Sequence, residues 1–360
     1  MLTFAPIRAH SPHSSRARSR SRALTVYRRR QRRHRLAAGV CIAILGLGFL
    51  AAPLPALAQR GEKVPRIGFL GLGLSGPSLV GEAFRQGLRD LGYVEGRTIV
   101  IETRLAEGRA ERLPDLAREL VRLGVDVIVA AGPAIQVAKE ATSTVPIVVA
   151  NSGDPVAAGL VPSLSRPGGN ITGLSTLSPE LSAKRLQLLR EAIHGLSSVA
   201  VLWNPDSPEQ SAEFRALQAA GRSLGIQLHV LQVRAAGDFD AAFATATRLR
   251  AGALVTFGDG FTFTHRARIL ELAARAELPA MYAYQEFVDA GGLMAYGPNL
   301  PDLFRRAAVY VDKILKGARP HDLPIEQPTR FELTINRRTE LLLGLQFSDS
   351  FLMQAQKIID

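Results

Sequence analysis

The sequence predicts an α/β protein of two doubly wound lobes, each a parallel sheet with helices on both faces. From Val64 onward, short runs of β-branched and apolar residues alternate with amphipathic stretches, a pattern typical of parallel sheets covered by helices. The alternation passes through two similar sets of strands. About 300 residues follow the N-terminal tail, which is enough for two domains of ordinary size.

Charge is distributed unevenly along the 360 residues, whose formal net charge is +12. Residues 1–58 contain eleven Arg and no Lys, Asp or Glu, so that 33 basic and 32 acidic residues remain from residue 59 onward. The rest of the chain therefore carries a net charge of only +1. Because a nucleic-acid-binding domain needs a basic face on the fold itself, we expect no nucleic-acid partner.

The N-terminal tail has the pattern of a cleavable export signal. A basic segment, RRRQRRHR at 28–35, precedes an uncharged apolar run at 36–52, and Ala56-Leu57-Ala58 offers an A-x-A cleavage site. We predict cleavage after Ala58; the alternative is an uncleaved anchor, since the apolar run approaches membrane-spanning length. Cys41, the sole cysteine, lies in this tail, so the mature chain can form no disulfide.

Ten segments are predicted as strands and six as helices, in alternation. The strands cover residues 66–70, 99–103, 126–130, 146–150, 171–175, 199–203, 227–232, 253–257, 280–284 and 293–296. The helices cover residues 79–91, 112–123, 179–193, 208–224, 239–249 and 262–276. Ser178 and Ser207 each precede a proline and mark helix starts. Gln210, three residues after Ser207, predicts a capping box.

The two sets of strands correspond in order and spacing. RIGFL at 66–70 corresponds to VAVLW at 199–203, VDVIVAAGPA at 125–134 to AGALVTFGDG at 251–260, and VPIVVANSGDP at 145–155 to LPAMYAYQEFV at 278–288. The offsets are 133, 126 and 133 residues. This regularity predicts one architecture used twice.

In doubly wound sheets, ligands bind at the carboxyl ends of the strands. The loops there are rich in Gly, Asn, Asp, Ser and aromatic residues, which suit a small polar solute. They cover residues 71–77, 132–134, 151–154, 204–207, 258–261, 284–287 and 296–299. Phe261 and Tyr296 are candidate ligand contacts from this placement.

Several polar residues in these loops have a purely structural alternative. Asp154 before Pro155 fits a helix N-cap, Asn204 before Pro205 fits a turn, and Asp259-Gly260 is a turn signal. Tyr282 and Tyr284 alternate along a predicted strand, so the more buried of the two belongs to the core. Ligand contact and local capping therefore stay open for Asp154 and Asn204.

No catalytic or metal-binding constellation is present in the sequence. His194, His229, His265 and His321 have no metal-ligand spacing, and none lies beside a candidate nucleophile. The sequence contains neither a G-x-S-x-G elbow nor a Walker loop. We therefore expect a binding protein that is not an enzyme and uses no metal or cofactor.

One motif favours a different class of protein. Gly71, Gly73 and Gly76 satisfy G-x-G-x-x-G after the first strand, and Glu102 ends the second, where a dinucleotide fold places its phosphate loop and ribose acid. The alternative is an exported NAD(P)-dependent oxidoreductase. Against it, Pro77 follows the third glycine, which should already lie inside the helix, and the second lobe repeats the architecture without the motif.

Several stretches, taken in order, resemble one known family. They are AFRQGLRDLGYVEGRTIVIETRLAEG at 83–108, ATSTVPIVVANSGDPVAAGLVPSLSRPGGNITGLS at 141–175, AKRLQLLREA, VLWNPDSP, GGLMAYGPN and QPTRFELTINRRTELLLGL. The segment at 153–173 is long and specific. From Arg66 to Leu345 the chain resembles ABC-transporter substrate-binding proteins whose relatives include binders of tryptophan and other aromatic amino acids.

The resemblance implies a type I periplasmic-binding-protein fold with three crossovers between the lobes. Lobe 1 would be residues 64–175 plus 299–329, and lobe 2 residues 177–295 plus 331–360. The implied protein is a periplasmic monomer that closes on a small-molecule solute and delivers it to an ABC permease in the inner membrane. A periplasmic sensor subunit is the alternative within this fold.

The resemblance also implies where a ligand would be contacted. By position, the contacts fall at Ser75, Gly132, Pro133, Ala134, Asp154, Thr176, Asn204, Asp259 and Tyr284. In amino-acid-binding relatives an acid holds the ammonium, here Asp154 or Asp259, while Ser75 and the amides after Gly132 would meet the carboxylate. Many members place a hydroxyl residue at Pro133-Ala134, and proline lacks an N–H donor. The resemblance therefore leaves three solute classes as alternatives: an amino acid, an aromatic compound and a carboxylate.

Overall fold

Residues 63–73, 78–176, 179–207 and 210–360 are described by the structure, a computed structural model. The predicted signal peptide and Ser75 lie outside the described residues. Residues Val64–Asp360 form one unit, and it contains two sheets. None of the described helices combines the length and the apolar character needed to cross a bilayer.

Five parallel strands form the first sheet, in the order β2-β1-β3-β4-β5. The strands are β1 (Arg66–Gly71), β2 (Val100–Leu105), β3 (Val127–Ala131), β4 (Ile147–Asn151) and β5 (Ile171–Gly173). Strand β3 is a continuous apolar run, and β4 is apolar up to its last residue, Asn151; both are buried almost throughout, as expected for strands covered on both faces. The register between them shifts at Ala130/Ala131.

Seven strands form the second sheet, in the order β12-β11-β10-β9-β8-β6-β7. They are β6 (Ser198–Trp203), β7 (Gln227–Gln232), β8 (Ala253–Thr256), β9 (Ala280–Tyr282), β10 (Met294–Gly297), β11 (Glu332–Asn336) and β12 (Lys357–Ile359). Five of them, β7-β6-β8-β9-β10, repeat the strand order of the first sheet, which confirms the predicted duplication. The additional pair at one edge was not predicted, and β11 runs antiparallel to β10.

Twelve α-helices lie in the described part of the chain. They are α1 (Leu79–Asp90), α2 (Leu113–Arg122), α3 (Pro133–Ala141), α4 (Pro179–Ala192), α5 (Gln210–Leu224), α6 (Asp238–Arg248), α7 (Gly260–Thr264), α8 (Arg266–Arg275), α9 (Gln285–Asp289), α10 (Leu300–Leu315), α11 (Arg337–Leu342) and α12 (Asp349–Leu352). Helices α2, α3 and α10 pack on the first sheet, and α1 packs on α10. Helices α4, α5, α6 and α9 pack on the second sheet, α8 packs on α6 and α9, and α7 packs on α8. We call these two assemblies the first lobe and the second lobe. The predicted α/β fold class is confirmed.

Two predicted elements differ from the structure near the cleft. The helix predicted at 262–276 is two helices, because His265 (φ −93°, ψ 14°) interrupts it. The strand predicted at 280–284 ends at Tyr282, and Tyr284 is the N-cap of α9. Both differences bring short helices to the carboxyl ends of the second-sheet strands.

The buried core is continuous between the lobes. One cluster of buried side chains includes Val129 and Phe304 from the first lobe together with Leu254 and Tyr284 from the second. The lobes are therefore in contact in this structure, with the carboxyl ends of both sheets facing each other.

Candidate ligand-binding site

A cavity of about 710 Å³ lies between the two lobes. First-lobe residues on its wall include Phe69, Leu72, Phe84, Arg85, Val129, Gly132, Pro133, Asn151, Leu300 and Phe304. Second-lobe residues on its wall are Asp259, Gly260, Phe263, Thr264, Arg266, Tyr284 and Glu286. The cavity occupies the position at the strand ends where a doubly wound fold binds its ligand.

The first-lobe wall is largely apolar and includes three aromatic rings. Phe69 at the end of β1 lies with its ring centroid 5.6 Å from that of Phe84 on α1 and 6.0 Å from that of Phe304 on α10. Ser78 caps α1 by accepting a hydrogen bond from the Gly81 N–H at 3.1 Å. Three ring systems from three elements therefore meet at one apolar surface, which suits a flat apolar group.

The second-lobe wall combines one aromatic pair with charged groups. The rings of Phe263 and Tyr284 meet edge to face, with centroids 5.8 Å apart and planes at 80°. The Arg266 guanidinium carbon lies 4.8 Å from the Phe263 ring centroid, and its Nη1 donates to the Phe263 carbonyl at 3.0 Å. Phe263 thus presents a ring that is held by neighbours on two sides.

A chain of polar groups crosses from one lobe to the other at Asn151. Asn151 Nδ2 donates to Tyr284 Oη at 3.4 Å, and the Thr176 hydroxyl lies 3.1 Å from Asn151 Oδ1. A Cβ on Gly258 would lie 2.7 Å from Tyr284 Oη, so a side chain at this position would push against the phenol. Burial raises the pKa of Tyr284 well above its usual value, which keeps the phenol neutral.

Asp259 is held at the start of α7. Its Oδ1 accepts a hydrogen bond from the Thr262 N–H at 2.8 Å, and Gln210 Nε2 donates to its Oδ2. Burial raises the pKa of Asp259 to about 6. Gln210 Oε1 accepts a hydrogen bond from the Asn204 N–H at 3.0 Å. The predicted capping box, in which the Gln210 side chain would bond to Ser207, is therefore wrong. The buried Gln210 amide instead connects Asn204 to Asp259.

The loop after β3 touches the second lobe. Gly132 adopts φ 58° and ψ −135°, a backbone conformation that side chains rarely allow, and its N–H donates to the Asn151 carbonyl at 3.0 Å. A Cβ on Gly260 would lie 3.1 Å from Pro133 Cδ. Gly132 and Pro133 line the cavity, whereas Ala134 is fully buried behind them.

Three predicted contacts lie outside the cavity lining and have local partners instead. Asp154 Oδ1 accepts from the N–H groups of Val156 and Ala157 at 2.9 and 3.0 Å. Asn204 Oδ1 accepts from the Asp206 N–H at 3.0 Å. Phe261 stacks on Phe239 with centroids 5.4 Å apart. Asn204 therefore has the predicted turn role. Asp154 bonds within its own loop, but the helix it was predicted to cap is absent, because only turns lie between β4 and β5. Phe261 is half-buried and packs against the second-lobe core.

Two further predicted contacts, Thr176 and Tyr296, do not line the cavity. Thr176 is buried, and its hydroxyl also lies 2.8 Å from the Ser152 carbonyl. The Tyr296 carbonyl accepts a hydrogen bond from Arg185 Nε at 2.8 Å, and its ring lies beside Phe331. Arg185 is buried, and burial lowers the pKa of its guanidinium.

Sequence reasoning missed Asn151, Phe263, Arg266 and Glu286 on the cavity wall. Asn151 and Glu286 lie inside two of the predicted strand-end loops, 151–154 and 284–287. Their position in these loops could therefore have marked them as candidate ligand contacts. Phe263 and Arg266 carried no such signal, because both fall within the helix predicted at 262–276.

The dinucleotide alternative gains no support from Glu102. This carboxylate lies 3.4 Å from Arg66 Nη1 and 3.6 Å from Arg104 Nη1, and it is not part of the cavity lining. Among the described residues, no three His, Cys, Asp or Glu side chains are grouped as a metal site would require.

Two sheets that share a five-strand order, with a cavity between their strand ends, form the two-lobed architecture in which a small solute can be held between the lobes. The chain matches the family described as ABC transporter substrate binding protein over residues 74–359, and it belongs to this family. Members bind small-molecule solutes and work with a membrane permease, and the function of this chain is to deliver a small solute in that way.

Individual relatives agree with the family. A tyrosine-binding protein from Clostridioides difficile is 24% identical over 267 residues, which are 74% of this chain and 76% of the relative. An ABC domain from Streptococcus pneumoniae, solved in complex with L-Trp, has a TM-score of 0.77 at 24% identity and covers 82% of this chain and 100% of its own. A conserved domain protein from Vibrio cholerae has a TM-score of 0.77 at 26% identity, with the same coverage. The predicted relation to aromatic amino-acid binders is confirmed.

Proposed function

We propose that the chain is exported to the periplasm, where it captures an aromatic or similarly flat organic solute and delivers it as a monomer to an ABC permease of the inner membrane. The observation that carries this proposal is the interlobe cavity, whose first-lobe wall joins the rings of Phe69, Phe84 and Phe304. The names of two similar proteins, one tyrosine-binding and one in complex with L-Trp, support the same solute class.

The polar contacts of the solute would come from both lobes. Asn151 lies on the first-lobe wall, and Asp259, Tyr284 and the Gly260 backbone lie on the second. A solute that touches both walls stabilises the closed arrangement by its differential affinity for it. The lobes that move would be residues 64–175 plus 299–329 and residues 177–295 plus 331–360, and the closed form is the one the permease would receive.

The experiment uses the mature chain from Gln59 in a thermal-shift screen. The panel holds L-tyrosine, L-tryptophan, L-phenylalanine, benzoate, 3-(4-hydroxyphenyl)propanoate, glucose and NAD. We expect aromatic solutes to raise the melting temperature and to reduce the radius of gyration in small-angle X-ray scattering. A screen in which no aromatic member stabilises the protein would contradict the proposal, and stabilisation by NAD alone would favour the oxidoreductase.

Export is tested separately on the full-length chain. The uncharged run at 36–52 and the A-x-A site at Ala56-Leu57-Ala58 support removal of the tail. We expect the periplasmic protein to begin at Gln59 in N-terminal sequencing. An Ala58→Arg variant, which replaces the small residue at the cleavage site, should accumulate the uncleaved form; cleavage elsewhere would contradict the predicted site.

A further inference from the structure

We infer that Thr103 makes the protein selective for solutes whose aromatic ring carries a hydroxyl group at its far end, an inference that rests on the proposed function and sharpens its substrate class. Thr103 lies in β2 and lines the interlobe cavity. Its side chain is half-buried, and its hydroxyl has no hydrogen-bond partner among the residues that the structure describes. Arg104 Nη1 donates to the Thr103 carbonyl at 3.0 Å and leaves the hydroxyl unused.

The alternation of side chains along β2 directs Thr103 to the cavity. Ile101, Thr103 and Leu105 occupy every second position and all line the cavity, as one face of a strand does. The residues between them belong to the opposite face, where Arg104 Nη2 donates to Glu119 Oε1 on α2 at 2.8 Å. Thr103 is therefore the polar side chain in a row whose other two members are aliphatic.

The parallel register places Thr103 beside the ring on which a flat solute would pack. Thr103 pairs with Phe69 of β1, and Phe69 pairs with Val129 of β3. All three side chains line the cavity. Neighbouring strands are ~4.8 Å apart, so a solute ring laid over Phe69 has one edge near Thr103 and the opposite edge near Val129. A polar substituent on the first edge would meet the Thr103 hydroxyl.

The strand order decides which end of the solute comes to Thr103. Gly132 and Asn151 lie at the carboxyl ends of β3 and β4, on the other side of Phe69 from β2 in the order β2-β1-β3-β4. Thr103 also precedes the last residue of β2, Leu105, by two positions, so it lies deeper along the sheet than the strand ends. A solute whose polar group meets Gly132 and Asn151 and whose ring covers Phe69 would present the far end of that ring to Thr103.

Other polar side chains beside the first-lobe rings are already engaged. The Ser78 hydroxyl accepts a hydrogen bond from the Gly81 N–H, and Arg85 Nε donates to Glu95 Oε2 at 3.1 Å. A phenol that is buried without a partner costs binding free energy, and a threonine hydroxyl can both donate to it and accept from it. A ring without the hydroxyl would cover Thr103 and leave its hydroxyl without a partner, which disfavours such a solute.

The test compares L-tyrosine with L-4-methylphenylalanine, which has a similar size but cannot form a hydrogen bond at the far end of its ring. Calorimetry measures the affinity of both probes for the wild type, Thr103→Val and Thr103→Ser. Thr103→Val replaces the hydroxyl by a methyl group, whereas Thr103→Ser keeps it. We expect Thr103→Val to weaken L-tyrosine binding about 3- to 10-fold, the scale of a neutral hydrogen bond. Its affinity for L-4-methylphenylalanine should stay within about 2-fold of the wild type or increase.

Thr334→Val is the matched control. Thr334 is also a strand threonine whose hydroxyl has no partner among the described residues, but it lies in β11 and outside the cavity lining. We expect this variant to change neither affinity by more than about 2-fold, and Thr103→Ser to keep the preference for L-tyrosine. Melting temperatures of the ligand-free variants show that each of them is folded.

Three results would overturn the inference and leave the proposed aromatic solute standing. They are equal affinity of the wild type for the two probes, equal losses of both probes in Thr103→Val, and a loss of L-tyrosine binding in Thr334→Val as large as that in Thr103→Val. The first of these needs no variant, so the inference stays testable if Thr103→Val does not fold. Binding of neither probe to the wild type also overturns the inference, and it overturns the proposed function as well when the aromatic solutes of the thermal-shift panel give no stabilisation.

Discussion

The first-lobe wall of the cavity and the second-lobe wall differ in chemistry and in construction. On the first-lobe wall, Phe69, Phe84 and Phe304 come from a strand and two long helices, and Arg85 is turned to Glu95. On the second-lobe wall, Asp259, Arg266 and Glu286 accompany Phe263 and Tyr284. Asp259 and Tyr284 are the N-caps of the short helices α7 and α9, and Arg266 is the first residue of α8. One wall provides an apolar surface, and the other provides charge.

The two walls differ although the five strands of the first sheet and five strands of the second have the same order. The first-lobe strand β4 leads into a long loop without a helix, whereas the equivalent strand β9 leads directly into α9 with Glu286 in its first turn. The duplication therefore conserves the frame that positions the cavity, and the connections after the strands decide what each wall offers. We expect affinity to depend on both walls and selectivity for charged groups to depend mainly on the second.

The largest expected effect tests whether the second-lobe wall contributes an aromatic surface. Phe263→Ala removes a ring that contacts Tyr284 and Arg266, and we expect L-tyrosine affinity to fall by about 30-fold or more, as for a hot-spot residue. The matched control is Phe261→Ala, two residues away on α7 and packed on Phe239. It should lower the free energy of unfolding by ~2–4 kcal/mol and change affinity little. Equal affinity losses in the two variants would contradict the assignment of Phe263 to the cavity.

The next effect concerns the placement of Tyr284 on the second-lobe wall. In Gly258→Ala, the added Cβ would lie 2.7 Å from Tyr284 Oη and 3.1 Å from Ala283 Cβ. We expect a loss of ~1–3 kcal/mol of stability from overpacking, together with weaker binding of L-tyrosine. Gly237→Ala is the control, because no atom lies within 4 Å of its added Cβ. Urea unfolding measures the stability, and a neutral Gly258→Ala variant would show that Tyr284 can move without cost.

A pH series tests the buried acid at the start of α7. Because the pKa of Asp259 is raised to about 6, the folded protein keeps this proton to higher pH than the unfolded chain does. The stabilising contribution is full below about pH 4 and is lost as the pH rises through 6. Relative to Asp259→Asn, the wild type should lose ~1–3 kcal/mol between pH 4 and pH 7. Urea unfolding of both proteins at each pH measures this, and a difference that grows in favour of the wild type would refute it.

The smallest effect concerns the hydrogen bond that joins the two walls. Asn151 Nδ2 and Tyr284 Oη are 3.4 Å apart, a long separation for a hydrogen bond. A double-mutant cycle of Asn151→Ala and Tyr284→Phe should give a coupling energy of ~0.5 kcal/mol in unfolding free energy. Tyr284→Phe keeps the ring contact with Phe263, which isolates the hydroxyl. A coupling above about 1.5 kcal/mol would mean that the closed arrangement in solution holds the two groups closer.

The sequence alone determined the fold class, the duplication and the strands that position the cavity, because long periodic apolar runs specify strands and helices locally. It also determined several local roles, since Asp154 and Asn204 bond to N–H groups within three residues of themselves. Among its candidate contacts, Gly132, Pro133, Asp259 and Tyr284 line the cavity.

Only the tertiary structure decided which neighbours face the solute. Phe261 and Phe263 are two residues apart on α7, which places them roughly 200° apart around the helix, so Phe261 packs on Phe239 while Phe263 lines the cavity. Which of the two rings lines the cavity depends on the interruption at His265 and on the cap at Asp259. The surroundings of the Glu286 carboxylate were likewise decided by the tertiary structure. The sequence places Glu286 in a strand-end loop, but only the packing of neighbouring elements leaves its Oε2 buried without a hydrogen-bond donor among the described residues.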